Sequence, residues 1–172
     1  MDPVFSIGES VVHPQHGLGT IKDIKETAIL GEQVQVYVIS TKKMELQIPI
    51  DKARSLGIRK IVTAEQAEGL LKILRNPAQE EPFTAIEGWH QRYEDLKKRI
   101  REGEAEDLAV IVRDLDKNSR VYELNIKERE ILTHAKDLII QELTQALGVP
   151  KSKITEKVED ALKANLKKRV AK

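Results

Sequence analysis

The sequence predicts an α+β protein of two parts, a small β-barrel or sandwich followed by five helical segments. Three observations lead there. Short β-prone runs separated by glycine and proline fill residues 1–61, and apolar residues recur at a helical period from residue 63 onward. Strands and helices also do not alternate along the chain, which suggests α+β or two separate domains. The boundary is placed between residues 61 and 62, giving domains 1–61 and 62–172.

The strand-forming runs are Val11-Val12, Thr20-Ile21, Val34 to Ile39 and Leu46 to Ile50, punctuated by Gly8, Pro14, Gly17, Gly19, Gly31, Pro49 and Gly57. Leu46, Ile48 and Ile50 alternate onto one face, and Pro49, which has no N–H, suits a sheet edge or a strand end. A β unit of about 60 residues is marginally stable alone.

In the second half, Thr63 to Gln66 is a capping box that opens a helix through Leu70, Leu71, Ile73 and Leu74, and Asn76-Pro77 stops it. Asn76 to Pro82 is a polar connector, and Thr84 to Glu87 forms a second capping box leading into Trp89, Tyr93, Leu96 and Ile100 up to Gly103. Ala105 to Leu115 is amphipathic, and Asp116 to Glu123 reads as a polar loop. Asn125 caps a long helix from about Ile126 to Leu147, which Gly148-Val-Pro150 breaks. Ser152 opens the last helix. The tail beyond Ala164 is expected to fray, because the segment Lys163 to Lys172 carries five basic residues and no acid.

Composition narrows the function. Lys plus Arg number 29 and Asp plus Glu 28, a net charge of +1, so a basic footprint must be local rather than global. Cysteine is absent, which excludes disulfides, thiol nucleophiles and thiolate-bound metal. The N-terminus lacks a signal-peptide pattern and no apolar run approaches the roughly 20 residues of a membrane span, so a cytoplasmic location is expected.

Side-chain chemistry adds no active site. His13 and His16 flank a turn, His90 and His134 are distant in sequence, and no metal is expected. Gly17-Leu-Gly19 lacks the third glycine and following helix of a phosphate loop and reads as a turn or bulge. The acids, Glu94 with Lys98 and Glu128 among them, read as a solvated helix surface. No catalytic residue, cofactor or small-molecule substrate is assigned.

Trp89 is the one tryptophan, in the first turns of a helix that also carries Arg92, Lys97, Lys98, Arg99 and Arg101 against Glu94 and Asp95. Two readings stand at this point. The ring packs internally on Tyr93 and Leu96, or it is presented beside Gln91, Arg92 and Arg99 as a wedge for a distorted base step, with the cations on phosphates.

The order of pieces resembles the CarD/CdnL family of bacterial transcription regulators. The resemblance rests on Phe5 to Gly19, then Gly31-Glu-Gln with Tyr37, Ile48-Pro49 and Ser55 to Arg59. Its most specific part is Trp89-His-Gln-Arg92-Tyr93, Gly103 and Ala109 to Leu115, followed by Glu128 to Leu132, Ala135 and Glu142-Leu143. It covers about residues 5 to 162, and its N-terminal part is also similar to the polymerase-interacting domain of transcription-repair coupling factor.

The resemblance implies a Tudor-like, SH3-like barrel over residues 1–61 that docks on the RNA polymerase β subunit through Thr27, Gln47, Ile48 and Pro49. It implies a helical domain over 62–172 that contacts promoter DNA, largely independently of sequence, through Trp89, Gln91, Arg92, Lys97 and Arg99. Trp89 would then wedge at the upstream edge of the bubble and stabilise the open promoter complex, on the nucleoid through polymerase. Some relatives carry basic residues where this chain has Thr27, Gln47, Gln91 and Glu94, so both contacts are less charged here. The competing functions are an architectural DNA-binding protein acting without polymerase and a protein-interaction adaptor without a wedge.

Overall fold

The computed structural model describes residues 2–77, 88–121 and 123–170. The chain divides into two compact units, Met1–Ile61 and Val62–Lys172. The capping box expected over 84–87, most of the 76–82 connector, Phe83 and Tyr122 lie outside the described residues.

The first unit is a five-stranded antiparallel sheet, consistent with a Tudor-like β domain. Its strands are β1 (Ser10–His13), β2 (Gly17–Ile29), β3 (Glu32–Thr41), β4 (Glu45–Pro49) and β5 (Arg59–Lys60), with one helical turn, α1 (Ile50–Ala53), after β4. The order across the sheet is β4-β3-β2-β1-β5. The Leu46/Ile48/Ile50 alternation holds: Ile50 is buried, and Leu46 and Ile48 pack on the core of Phe5, Val11, Ile21, Tyr37, Ile39, Ala53 and Ile58. Pro49 ends β4, an edge strand, where its missing N–H breaks no ladder.

Tyr37 is fully buried and has two tasks. Its ring lies 5.5 Å from that of Phe5. Its hydroxyl accepts from the backbone N–H groups of Val4 (2.7 Å) and Phe5 (3.2 Å), which holds the N-terminal segment to the sheet. Gly17-Leu-Gly19 lies at the start of β2, as strand rather than phosphate loop. A Cβ at Gly19 would stand 2.7 Å from Ile39 Cγ2, so only glycine lets β3 approach that closely.

The second unit contains five helices among the described residues: α2 (Ala64–Arg75), α3 (Trp89–Glu102), α4 (Ala105–Ser119), α5 (Ile126–Leu147) and α6 (Lys151–Val170). The Thr63 and Asn125 caps form as the sequence implies. Each side chain accepts from the backbone N–H three residues on, and each return hydrogen bond is present. Gly103 and Gly148 terminate α3 and α5. The core is built from α2, α4, α5 and α6, whereas α3 fully buries only Leu96. Trp89 therefore sits on the most loosely held helix of the unit.

Three expectations need correction. The segment from Asp116 is not a loop at its start: α4 continues to Ser119. Asp116 is buried, accepts from Arg120 Nε at 3.0 Å and lies 3.5 Å from Lys136 Nζ of α5, so ion pairing holds a stretch of poor helix formers in the helix. The last helix continues through the segment beyond Ala164 that is expected to fray. It reaches Val170, and beyond Ala164 the buried Asn165 donates from Nδ2 to the Leu74 carbonyl of α2 at 3.4 Å. The acids are not uniformly a solvated surface either. Asp114, Asp116, Glu128 and Glu142 are buried, and Glu142 accepts from the Val62 N–H at 3.0 Å. Sequence spacing registers charge on a helix but not the neighbouring helix that buries it.

Candidate polymerase and nucleic-acid interfaces

In the β unit, Gln47, Ile48 and Pro49 lie together on β4. They pair on one side with Val38, Tyr37 and Val36 of β3, and no strand pairs with the other side among the described residues. Gln47 is exposed, and Ile48 is half-buried with its side chain on the core. An open edge of this kind offers backbone donors and acceptors to a partner strand. Thr27 stands apart from these three. It pairs with Val34 in the β2–β3 hairpin, beyond the point where β4 ends opposite Val36.

His13, a histidine of the β1–β2 turn, is buried. Its Nδ1 accepts from the N–H groups of Gln15 (3.1 Å) and His16 (3.3 Å), so the imidazole acts as a neutral cap for the turn. Burial, and secondarily the His16 ring 4.6 Å away, push its pKa down to about 4. The Glu9 carboxylate is held below its usual range, first by the Ser6 N–H and then by Lys60 Nζ at 2.9 Å. Among the described residues no group of three His, Asp or Glu could hold a metal ion. No described helix is long and apolar enough to cross a membrane.

In the helical unit Trp89 is 43% exposed, so its ring is not enclosed in the core. The ring is not isolated. The His90 imidazole stacks on it at 4.3 Å and 22°, and Tyr93 lies tilted at 6.3 Å. Lys127 Nζ of α5 stands 5.9 Å from the indole centroid and 4.9 Å from that of Tyr93, while Lys97 Nζ is 5.1 Å from Tyr93. These are cation–π distances, and they gather two ammonium groups around an aromatic pair. An open groove of about 690 Å³ adjoins the indole, lined by Glu123, Leu124, Asn125, Ile126, Lys127 and Arg129.

The remaining residues of the basic set differ in how they are held. Arg92 is only partly exposed, and its Nη2 lies 3.3 Å from Glu128 Oε1. The other oxygen of that carboxylate accepts from the Asn125 N–H at 3.1 Å, so one buried acid joins α3 to the N-terminus of α5. Arg99 pairs with Asp95 at 2.9 Å and Lys97 with Glu94 at 3.8 Å, the latter in place of the expected Glu94–Lys98 pair. Both lie at the surface, where an ion pair is weak and readily exchanged for a phosphate. Gln91 is exposed on the same helix.

Trp89 and Lys97 each adjoin Tyr93, and Arg92 is turned toward Glu128. Sequence reading missed Lys127, Glu128 as a tether and His90 as a stacking partner. The capping box at Asn125 located the start of α5, but no spacing rule relates that turn to a helix more than 20 residues earlier in the chain.

A sheet with an open edge and a helical unit that displays a tryptophan among cations, joined in one chain, define a two-module binding protein. Comparison with known families assigns both modules. Residues 5–62 match the CarD-like/TRCF RID domain and residues 69–159 match the CarD C-terminal domain. The chain is also 31% identical over 153 residues, 88% of its length and 97% of the relative's, to a Bacillus subtilis (strain 168) protein named "Putative transcription factor YdeB". The chain belongs to the CarD family of transcription regulators, a membership that carries regulation of transcription through interaction with RNA polymerase.

Proposed function

We propose that the β unit docks on the RNA polymerase β subunit and that the helical unit inserts Trp89 at the upstream edge of the promoter bubble, prolonging the life of the open complex. The observation that carries this reading is the half-exposed Trp89 with Lys127 over its ring and Lys97 over the neighbouring Tyr93. The open edge of β4 at Gln47, Ile48 and Pro49, with Thr27 on the neighbouring hairpin, supports docking by strand addition.

With location supplied by polymerase, the DNA contact need be neither tight nor sequence-specific, and a chain of net charge +1 suits that role. The wedge acts by binding opened DNA better than closed DNA. A preference of about 1.4 kcal/mol shifts that equilibrium tenfold. Lys97, Arg99 and Gln91 lie on the DNA side in this reading, and Lys127 joins them. Arg92 fixes the helix through Glu128 and lends its outer edge to the backbone.

The His90 stack covers part of the indole, so the ring enters a base step by its edge and remaining face rather than by full intercalation. The test is open-complex decay on one promoter with purified polymerase. Trp89→Ala shortens the lifetime at least several-fold while leaving the fold and polymerase binding unchanged. A lifetime equal to that of the native protein defeats the wedge.

A further inference from the structure

The β2–β3 hairpin projects past its neighbours. β1 pairs with β2 only as far as Thr20, and β4 pairs with β3 only from Val36, so the ribbon from Lys25 to Gln35 has no strand on either side among the described residues. At its tip Ile29 pairs with Glu32, leaving Leu30 and Gly31 as a two-residue turn with φ of +51° and +85°. Positive φ at both positions is the type I′ arrangement, whose first position favours asparagine, aspartate or glycine. Leucine in the left-handed region is strained, because its Cβ crowds the backbone.

Leu30 is the described non-glycine residue with positive φ, and its side chain is 101% exposed, so no internal contact compensates for the strain. Ile29 beside it is 38% exposed. Thr27 to Gly31 is uncharged, in a chain whose composition is 33% charged. A strained and fully exposed apolar tip on a bare ribbon weakens the free protein and has its use in a complex.

We propose that Leu30, with Ile29, is an apolar anchor that inserts into a hydrophobic recess of RNA polymerase beside the strand-edge contact. This rests on the docking reading above. Polymerase is the occupant because the ribbon is continuous with the unit that matches the CarD-like/TRCF RID domain, and because it carries Thr27 within the same uncharged run.

The experiment measures the affinity of the full chain for DNA-free core RNA polymerase, alongside urea unfolding of each variant. Leu30→Asn suits the turn better than leucine does, so its unfolding midpoint rises, yet its affinity for polymerase falls about tenfold or more. Leu30→Met keeps an apolar tip and stays within about threefold of native affinity. Leu30→Asn that binds as tightly as the native chain overturns the anchor while leaving strand-edge docking intact. No affinity of the native chain for polymerase defeats the docking reading, and the anchor with it. A Leu30-dependent dimer in sedimentation makes a second copy the occupant and overturns the polymerase assignment.

Discussion

Glu128 is the residue on which the position of Trp89 most depends. Its carboxylate accepts the Asn125 N–H through one oxygen and faces Arg92 Nη2 through the other, while its own N–H donates to Asn125 Oδ1 at 2.9 Å. Glu128→Ala removes the returning half of the capping box, worth about 0.5–1 kcal/mol, and leaves the Arg92 guanidinium without that carboxylate. Losing a charge-assisted contact at a part-buried site costs about 1.5–2 kcal/mol more, the lower end of the range because water still reaches Arg92. The expected loss is about 2–3 kcal/mol. Glu128→Gln keeps the cap, since an amide oxygen still accepts from Asn125, and loses the charge alone, about 1–2 kcal/mol. Asn125→Ala loses the forward cap, about 1 kcal/mol, with the pair intact. Urea unfolding followed by the helical circular dichroism signal ranks the three variants. Hydrogen exchange should show α3 amides losing protection before those of α4 and α5, because α3 fully buries only Leu96. If Glu128→Gln is as stable as the native chain and α3 exchanges no faster, the Arg92 pair does not hold the helix and the account of Trp89 placement fails.

Two further outcomes concern the β unit. His13 has a folded pKa of about 4 against an ordinary 6.5. Above pH 6.5 it is neutral whether the chain is folded or unfolded; between there and pH 4 the unfolded chain takes up a proton that the folded chain refuses. Stability therefore falls with falling pH across that window, by roughly 1–3 kcal/mol in all, and levels off below it. Glu9, held low, adds its own loss only at more acid pH. His13→Asn keeps an acceptor for the Gln15 and His16 N–H groups and should flatten the pH 4–6.5 slope in thermal unfolding; an unchanged slope refutes the assignment. Gly19→Ala places a Cβ 2.7 Å from Ile39 Cγ2 and 3.2 Å from the Ser40 carbonyl, and should cost about 1–3 kcal/mol in urea unfolding. A variant as stable as the native chain would show that β3 gives way there.

What could be read from the chain follows the range of the interactions involved. The capping boxes at Thr63 and Asn125, the stop at Gly103, the break at Gly148 and the Leu46/Ile48/Ile50 alternation each depend on residues a few positions apart, and all appear in the fold. The misreadings are long-range. Asp116 stays helical because Lys136 is near it, Asn165 is held by a carbonyl 91 residues earlier, and Glu128 is buried because Arg92 reaches it from another helix.

The sequence by itself indicated a strand-rich part followed by a helical part, several of the caps and stops that bound their elements, and a single tryptophan on a basic helix. Only the tertiary structure decided whether that indole faced inward or outward. A helical period states which residues share a face, but which face the rest of the protein covers depends on partners distant in sequence. Here α3 packs through Leu96, Arg92 is drawn to Glu128, and Trp89 remains half-exposed beside Lys127.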